Sequence, residues 1–510
     1  MNAGEMNGGE MKYAGAMKYA VWLLAAAAWA QAPPTSYRVE NVPMPRGIAP
    51  ESSAVTFTPD GSLAATFRRG GLYIYDQATA QWNRFASGFQ TPLGVLAGKP
   101  GEFFVVHLPE LTRVVDTNAD GKADLYETLS DAWGMSGNYH EFISGPARDA
   151  AGNFYVSMGS SSGAADPRLP VRGALTDRGR ASREPKPGLV NRVGHYAPTL
   201  YRGCIVQVTP QRETKLFACG FRQPNGLVVT PEGDLFAVDN QGDWIGTSPL
   251  HHVTEGAFHG HPSSLNWHPD FAGRDPVDIP VEELDRKRKR PAIEFPQFDM
   301  AGSVAGPAVD TSGGAFGPYS GQMLVADWTY PRVLRADLEK VGGVWQGAAF
   351  ILFEANGLRT GSNRLALAPD GKSLYIAQTS RIWGATEGIQ RLVYTGRVPM
   401  DIQHMRLTKT GFELTFTRPV DRATAGNPAN YAMSHYYYRY HGQYGSPKTD
   451  VTPVKVTGAS VSWDKRRVTL RVDNLVADRV FELRPSGIRS AEGEPLSTRI
   501  AAYTVRRLRE

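Results

Sequence analysis

Cysteine, long apolar runs and a strong balance of charge are scarce in this sequence. Beyond residue 30 no stretch is apolar and long enough to span a bilayer as a helix, so no transmembrane span is expected once the N-terminal segment is removed. The two cysteines include no Cys-x-x-Cys-His motif, which excludes an attached c-type haem. Lysine and arginine number 55 against 50 aspartates and glutamates, too small an excess to indicate a nucleic-acid partner. The single dense basic run, Arg286-Lys287-Arg288-Lys289-Arg290, reads as a solvated loop between strands.

Turn formers, in contrast, are abundant. With 54 glycines, 36 prolines and 21% charged residues, the composition is that of a turn-rich globular β protein and not of a disordered chain. Residues 1–30 read as a secretory signal peptide. Met17-Lys18-Tyr19 supplies the positive start, Ala20 to Ala28 the short apolar core, and Ala28-Trp29-Ala30 the small-x-small cleavage site; Met11 or Met17 is a candidate true start. A secreted or periplasmic location follows. There a disulfide between Cys204 and Cys219 can persist. The two flank the turn Pro210-Gln211-Arg212-Glu213 and face each other across a hairpin; two buried thiols are the alternative.

A unit recurs six times: a short apolar strand, a turn of Pro-Asp-Gly type, and a second strand rich in β-branched and aromatic residues. It begins at Ala54, Pro92, Gly145, Asn225, Gly306 and Leu365. Asp-Gly and Glu-Gly suit hairpin turns because glycine takes positive φ at little cost. A lone blade leaves both faces bare, whereas blades stacked around an axis cover one another. An all-β fold is expected, a six-bladed β-propeller over 45–397, with 31–44 as linker and closing strand (Tyr37 to Val42). Two β-sandwiches are the alternative. After Pro399 the repeat stops. Strands at Glu413–Phe416, Val468–Val472 and Val480–Arg484 predict an immunoglobulin-like sandwich over 400–508. Its run Tyr436 to His441 reads as an aromatic strand packed between domains or a contact for carbohydrate.

The sharpest motif runs from Asp116 to Glu127. Asp116, Asn118 and Asp120 converge from alternate positions, Gly121 permits the bend and Lys122 offers its carbonyl. Asp124 acts directly or through water, and Glu127 closes a calcium site with two oxygens. Its flanks are strands, so the ion's expected role is structural; an acidic surface turn without an ion is the other reading.

Three loops hold polar groups suited to chemistry. One carries His140, which titrates near neutrality and can take a proton from a hydroxyl, although a lone histidine also serves in packing. A second carries Arg222, Gln223 and Asn225, followed by Asp239 to Asp243, where carbonyls and carboxylates could hold a cation, and by His251, His252, His259 and His261, whose spacing is not that of a zinc site. The third carries Asp327 together with Arg332 and Arg364, and these two arginines are candidates to grip a carboxylated ligand.

His140, then Asp149-x-x-Gly152-Asn153, then Gly220-Phe-Arg222-Gln-Pro-Asn225-Gly226, then Gly256-Ala-Phe-His-Gly260-His-Pro262, resembles the soluble glucose/sorbosone dehydrogenase propellers over residues 45–395. The resemblance implies oxidation of a sugar, sugar derivative or alcohol by pyrroloquinoline quinone (PQQ) with calcium, electrons passing to an external acceptor. It casts His140 as base and Arg222 facing the quinone carbonyl. Gln223 and Asn225 join the cofactor set, the carbonyls of Gln241 and Gly242 hold calcium, and Arg332 and Arg364 meet the cofactor's carboxylates. The chain departs from the family where an acidic residue should support the base: Ser157 to Ser162 holds none. The basic cluster near the sixth repeat is reduced to Arg364. Two other functions suit the sequence, a non-catalytic envelope propeller binding a glycan or protein, and a calcium-dependent lactonase with the Asp239–Asp243 loop on its ion.

Overall fold

The computed structural model describes residues 35–162, 171–178, 194–380 and 386–510. The signal-peptide segment lies outside them. Among the described residues no helix is long and apolar enough to cross a membrane.

Each of the six sequence repeats becomes the two inner strands of an antiparallel sheet, four-stranded in five cases and part of a larger sheet for the fifth repeat. The innermost strands are Ser52–Phe57, Gly94–Ala97, Ile143–Arg148, Leu227–Val229, Val304–Val309 and Ser362–Leu367, and each packs against the innermost strands on either side, so the cycle closes. This is the β-propeller that the sequence predicts, and the blades are numbered 1 to 6 in that order. Second strands lie between neighbouring sheets with both faces covered. Leu63–Phe67, Glu102–His107, Phe154–Met158 and Ser373–Gln378 are buried along their whole length, which explains their unbroken rather than alternating apolar runs. At the first hairpin Gly61 has φ of +89°, the left-handed region that a Pro-Asp-Gly turn demands. The N-terminal strand Tyr37–Val42 pairs with Gly388–Tyr394 as the outer strand of blade 6, so both ends of the propeller chain share one sheet.

In blade 3 Cys204 stands directly opposite Cys219, and the two form a disulfide. A register shift after Ile205 makes this possible: Val206 pairs with Leu216 while Ile205 pairs with Ala218, leaving Phe217 as the extra residue.

Blades converge so closely at the axis that side chains are excluded at some positions. A Cβ on Gly94 of blade 2 would lie 1.4 Å from the carbonyl oxygen of Gly145 in blade 3. What fills the axis is Arg364. From blade 6 its Nε donates to the Leu93 carbonyl (3.1 Å), and its Nη2 to Ser144 Oγ (2.8 Å). Nη1 donates to the Asn225 side chain (2.9 Å) and the Asn363 carbonyl (2.8 Å). One guanidinium thus ties blades 2, 3, 4 and 6. Burial pushes its pKa down to about 10, and it stays charged at neutral pH.

The C-terminal region is not simply appended to blade 6. The outer hairpin of blade 5, Arg332–Val341 with Val344–Glu354, is unusually long, and the last strand of the chain, Ala501–Val505, pairs with its outer edge. Blade 5 and half of the C-terminal region form one eight-stranded sheet. A separate four-stranded sheet packs on one face of it around Phe412, Leu414, Phe481 and Tyr503. The opposite face turns Tyr436 and Tyr438 against Phe236, Ile293 and Leu334 of blades 4 and 5, the inter-domain packing expected of that aromatic strand. Pairing with Ala501–Val505 covers the middle of blade 5's outer edge, Gly347 to Phe350. Arg335, wholly buried at this junction, donates to Gln322 (2.9 Å) and lies 3.3 Å from Asp401, with Phe350 beneath it.

Arg364→Ala should leave several buried acceptors without a donor. A loss of about 3 kcal/mol or more is expected, read as a shift in urea midpoint by circular dichroism; a shift equivalent to less than about 1 kcal/mol would remove the axial role given to this residue.

Candidate functional site

Antiparallel strands alternate direction, so loops leaving a second strand and loops entering the next blade open at the same end of the propeller. His140 lies on the connection into blade 3, and Arg222 and Gln223 on that into blade 4. Asp239 to Asp243 follow the second strand of blade 4. The sequence therefore delivers these groups to one end through different loops.

Asp239 fixes the loop beneath them. Its buried carboxylate accepts the backbone N–H groups of Arg222 (2.8 Å), Gln223 (2.7 Å) and Asn240 (2.7 Å). Asp327 does the same in blade 5, accepting from Gly302 (2.6 Å), Ser303 (3.2 Å), Thr329 (2.8 Å) and Tyr330 (3.1 Å). Burial raises the pKa of both, against the lowering effect of these donors. Both carboxylates clamp loops, and the cation expected at Asp239 would have to displace the backbone N–H groups that it accepts.

His140 and Arg222 do converge, through a histidine that the sequence did not single out. The His195 ring lies against the His140 ring, centroids 4.6 Å apart. His195 Nδ1 meets Asp243 Oδ1 at 2.8 Å, its backbone N–H donates to Oδ2 at 2.7 Å, and its Nε2 faces Arg222 Nη2 at 3.3 Å. Arg222 Nε donates to the same Asp243 Oδ1 (3.1 Å), and His261 Nε2 lies 3.0 Å from Oδ2. Burial alone would raise the Asp243 carboxyl; His195 and His261 outweigh it and hold the group well below the usual carboxylate range. Burial, then Arg222, push His195 down to about 4. With Nδ1–H given to the carboxylate, Nε2 of His195 is the acceptor nitrogen.

His140 has a different partner. Its Nδ1 faces the Gln223 amide nitrogen at 2.6 Å, and that amide also donates to the carbonyls of His140 (3.0 Å) and Ser160 (2.5 Å). The carboxylate missing from the Ser157–Ser162 stretch is thus supplied by Asp243, but to His195 rather than His140. Glu141, adjacent in sequence, is spent on Ser136 and Ser161 and lies 3.7 Å from buried Arg202.

Arg332, Arg364 and Asn225 sit elsewhere, while Gln241 and Gly242 lie in the loop that carries Asp243. Arg332 pairs with Glu354, donates to the Met300 carbonyl (3.0 Å) and stacks on Tyr330; it is not among the groups that meet His140 or Arg222. Arg364 and Asn225 belong to the axial network, not to a carboxylate site. The Gly242 carbonyl accepts from Gly445 N–H (2.8 Å), and the Gln241 side chain donates to the Gly246 carbonyl (3.1 Å). Gly242 matters for space: a Cβ there would lie 1.8 Å from Arg222 Nε.

The loop expected to hold calcium connects the third and fourth strands of blade 2, at the end opposite to His140, where Asp116 N–H meets the Gly101 carbonyl. Asp116 accepts from Gly121 N–H (2.8 Å), Asn118 from Asp120 N–H (3.0 Å), Asp120 from Lys122 N–H (2.9 Å), and Asp124 from Thr117 (3.0 Å). Glu127 is paired with Arg113 (3.1 Å) and with Arg212, so it does not serve as a twelfth-position ligand. Among the described residues no group of three or more His, Cys, Asp or Glu side chains is arranged to hold a metal ion.

The histidine run divides. His261 joins the site, while His251 and His259 are buried with Nδ1 atoms 3.2 Å apart, and His252 pairs with Asp234 (2.9 Å). The basic run, expected as a solvated loop, ends the helix Val281–Lys287, and Arg288 stacks on Tyr440 at 4.4 Å.

No protein-family model matches the chain, and no curated protein matches it. Solved structures similar to it include the PQQ-bound aldose sugar dehydrogenase of Streptomyces coelicolor (16% identity over 71% of this chain and 99% of that one, TM-score 0.44). The holo pyranose dehydrogenase PQQ domain of Coprinopsis cinerea is similar at 14% identity over 71% and 96% of the chains, TM-score 0.47. A luciferin-regenerating enzyme is similar at 12% identity over 71% and 96%, TM-score 0.42. Neither identity nor TM-score reaches the level at which likeness assigns an activity.

Burial is the first cause lowering His195, His251, His252 and His259. Unfolded, each titrates near 6.5; folded, His195 and His252 titrate at about 4 and His251 at about 3. Between these values the unfolded chain takes up protons that the folded chain refuses, so their contribution to stability is complete above pH 6.5 and lost as pH falls towards 4. A melting temperature at pH 4.5 at least about 5 °C below that at pH 7 is expected by calorimetry; equal values would contradict it.

Proposed function

We propose that this protein is an exported propeller enzyme that oxidises a hydroxyl of a sugar, sugar derivative or alcohol, with proton transfer at the cluster of His195, Asp243, His140 and Arg222. The observation that carries this reading is the imidazole of His195, held by Asp243 with its acceptor nitrogen turned to Arg222, beside His140. Export is supported by the disulfide and the leader-like N-terminus.

In this reading the substrate hydroxyl replaces Arg222 Nη2–H at Nε2 of His195, which receives the hydroxyl proton while Asp243 holds the ring and stabilises the imidazolium. The Arg222 N–H so released, permanently charged, turns to the substrate oxygen and steadies the alkoxide that forms. His140, its ring against that of His195, offers a ring nitrogen to a neighbouring substrate oxygen. These roles exchange the base expected from sequence for the imidazole that has the carboxylate.

The expected grip on PQQ does not fit these residues. Arg332 is bound to Glu354, Arg364 is consumed at the axis, and the Gly242 carbonyl is taken by Gly445. No step is therefore routed through that quinone, and the hydride acceptor is left as a quinone-class carbonyl compound without that carboxylate anchorage.

The test is dye-linked oxidation of a panel of aldoses, aldonates and primary alcohols by the mature chain. It is run with PQQ plus calcium and, separately, with an uncharged benzoquinone. Substrate-dependent turnover is expected with the uncharged acceptor, falling at least about 100-fold in His195→Gln and Asp243→Asn, the scale of general-base loss. Turnover with neither acceptor, or full activity in both variants, would overturn the proposal. A folded chain that binds sugars without oxidising them would instead be a glycan-binding propeller.

A further inference from the structure

Between blades 2 and 3, at the end of the propeller opposite to His140, lies a cavity of about 540 Å³ that the cluster around Asp243 does not use. It is built where the innermost strand of blade 3 ends. Arg148 is the last residue of Ile143–Arg148 and pairs with Phe154 across the hairpin. Its guanidinium carbon lies 5.0 Å from the centre of the Phe154 ring and 5.4 Å from that of Phe104 in blade 2. The two rings pack on each other, centroids 4.7 Å apart. An arginine held in this way is placed by cation–π attraction and keeps its N–H groups for another partner.

Charge decides what that partner is. Four cations line the cavity, Lys99, Arg113, Arg148 and Arg212, against two carboxylates, Glu102 and Glu127. Both carboxylates are already engaged. Glu102 accepts from Arg113 Nε (2.6 Å) and from the Lys99 backbone N–H (3.0 Å). Glu127 accepts from Arg113 Nη1 (3.1 Å) and from Arg212, a tie between blades 2 and 3. Bonds to Arg113 and Arg212 hold the Glu127 carboxyl below its usual range, so it stays ionised on them. In the neighbouring loop, Asp116 and Asp124 accept N–H groups of that loop itself. The Lys99 ammonium and the Arg148 guanidinium have neither a hydrogen-bond nor an ion-pair partner among the described residues. Two positive charges are left over in one cleft.

We propose that this cleft binds a phosphate monoester. The dianion matches the two uncompensated charges: Arg148 presents a fork to its oxygens, and Lys99 adds a point charge. The cavity is larger than an inorganic ion fills, and Leu129 and Pro210 give the esterified body an apolar wall. This site lies at the other end of the propeller from the proposed oxidation and does not depend on it.

The experiment uses the full mature chain and its Arg148→Ala, Lys99→Ala and Lys409→Ala variants, the last an exposed lysine of the C-terminal region. Binding of D-glucose 6-phosphate, inorganic phosphate and D-glucose is measured by titration calorimetry at constant ionic strength, because screening would otherwise mimic the loss of a charge. Wild type is expected to bind the ester, inorganic phosphate more weakly, and glucose not at all. Arg148→Ala should weaken ester binding about tenfold or more and Lys99→Ala about threefold or more, with Lys409→Ala within about twofold of wild type. Melting temperatures check folding, and Lys99→Ala, on an exposed turn, decides the matter should Arg148→Ala not fold. Wild type that binds neither phosphate, wild-type affinity in a folded cleft variant, or an equal loss in Lys409→Ala would overturn the proposal. Inorganic phosphate bound as tightly as the ester would remove the organic body from it. Sedimentation with phosphatidate vesicles separates the sources: binding that Lys99→Ala abolishes assigns the monoester to a lipid, and none assigns it to a free small molecule.

Discussion

Closure of the propeller around one buried guanidinium governs everything built on it. Innermost strands turn their unpaired edges to the axis, where the carbonyls of Leu93 and Asn363 are met by a side-chain donor and not by a neighbouring strand. Arg364 answers this with a rigid fork of N–H groups reaching blades 2, 3, 4 and 6. No carboxylate contacts it among the described residues, so its charge is dispersed over carbonyl, amide and hydroxyl oxygens. One of those partners, Asn225, is two residues from Gln223, which faces His140. The packing of the axis and the placing of the site are therefore one constraint seen at two depths.

Above that anchor the site is held by carboxylates spent in two ways. Asp239 accepts only backbone N–H groups and gives the Arg222–Gln223 loop its shape. Asp243 accepts side-chain donors from His195, Arg222 and His261 and so sets ring orientation and charge. Two aspartates four residues apart do different work because one lies under the loop and the other faces the cluster. Residues beyond Pro399 are bound into blade 5 by strand pairing and to blade 4 by the loop around Tyr444.

Much of the fold was legible because propeller repeats write their turns and buried strands into the chain at regular intervals. Pro-Asp-Gly between Phe57 and Leu63 can hardly be other than a hairpin, and fully buried second strands announce themselves as unbroken apolar runs. His140 and Arg222 were legible as a pair for a related reason, since each immediately precedes a repeat and so reaches the same end of the propeller. His195 was not. It lies between repeats, in a stretch without periodicity, and nothing local marks its partnership with Asp243, forty-eight positions away. Arg332 and Arg364 looked alike in sequence, and only burial separates a strand-edge ion pair from an axial tie.

What the sequence by itself determined is the class of fold, the hairpin that brings Cys204 near Cys219, and the end of the propeller at which the polar loops emerge; the bulge at Phe217 that sets the two cysteines opposite each other came with the folded sheet. These are local or periodic properties, fixed by turn geometry and by alternation of side chains along a strand. Tertiary structure alone decided which imidazole received the carboxylate, which arginine went to the axis, and that a tyrosine from the last domain stands over Arg222. Those outcomes depend on distances between segments far apart in the chain, and such distances exist only after the blades have closed.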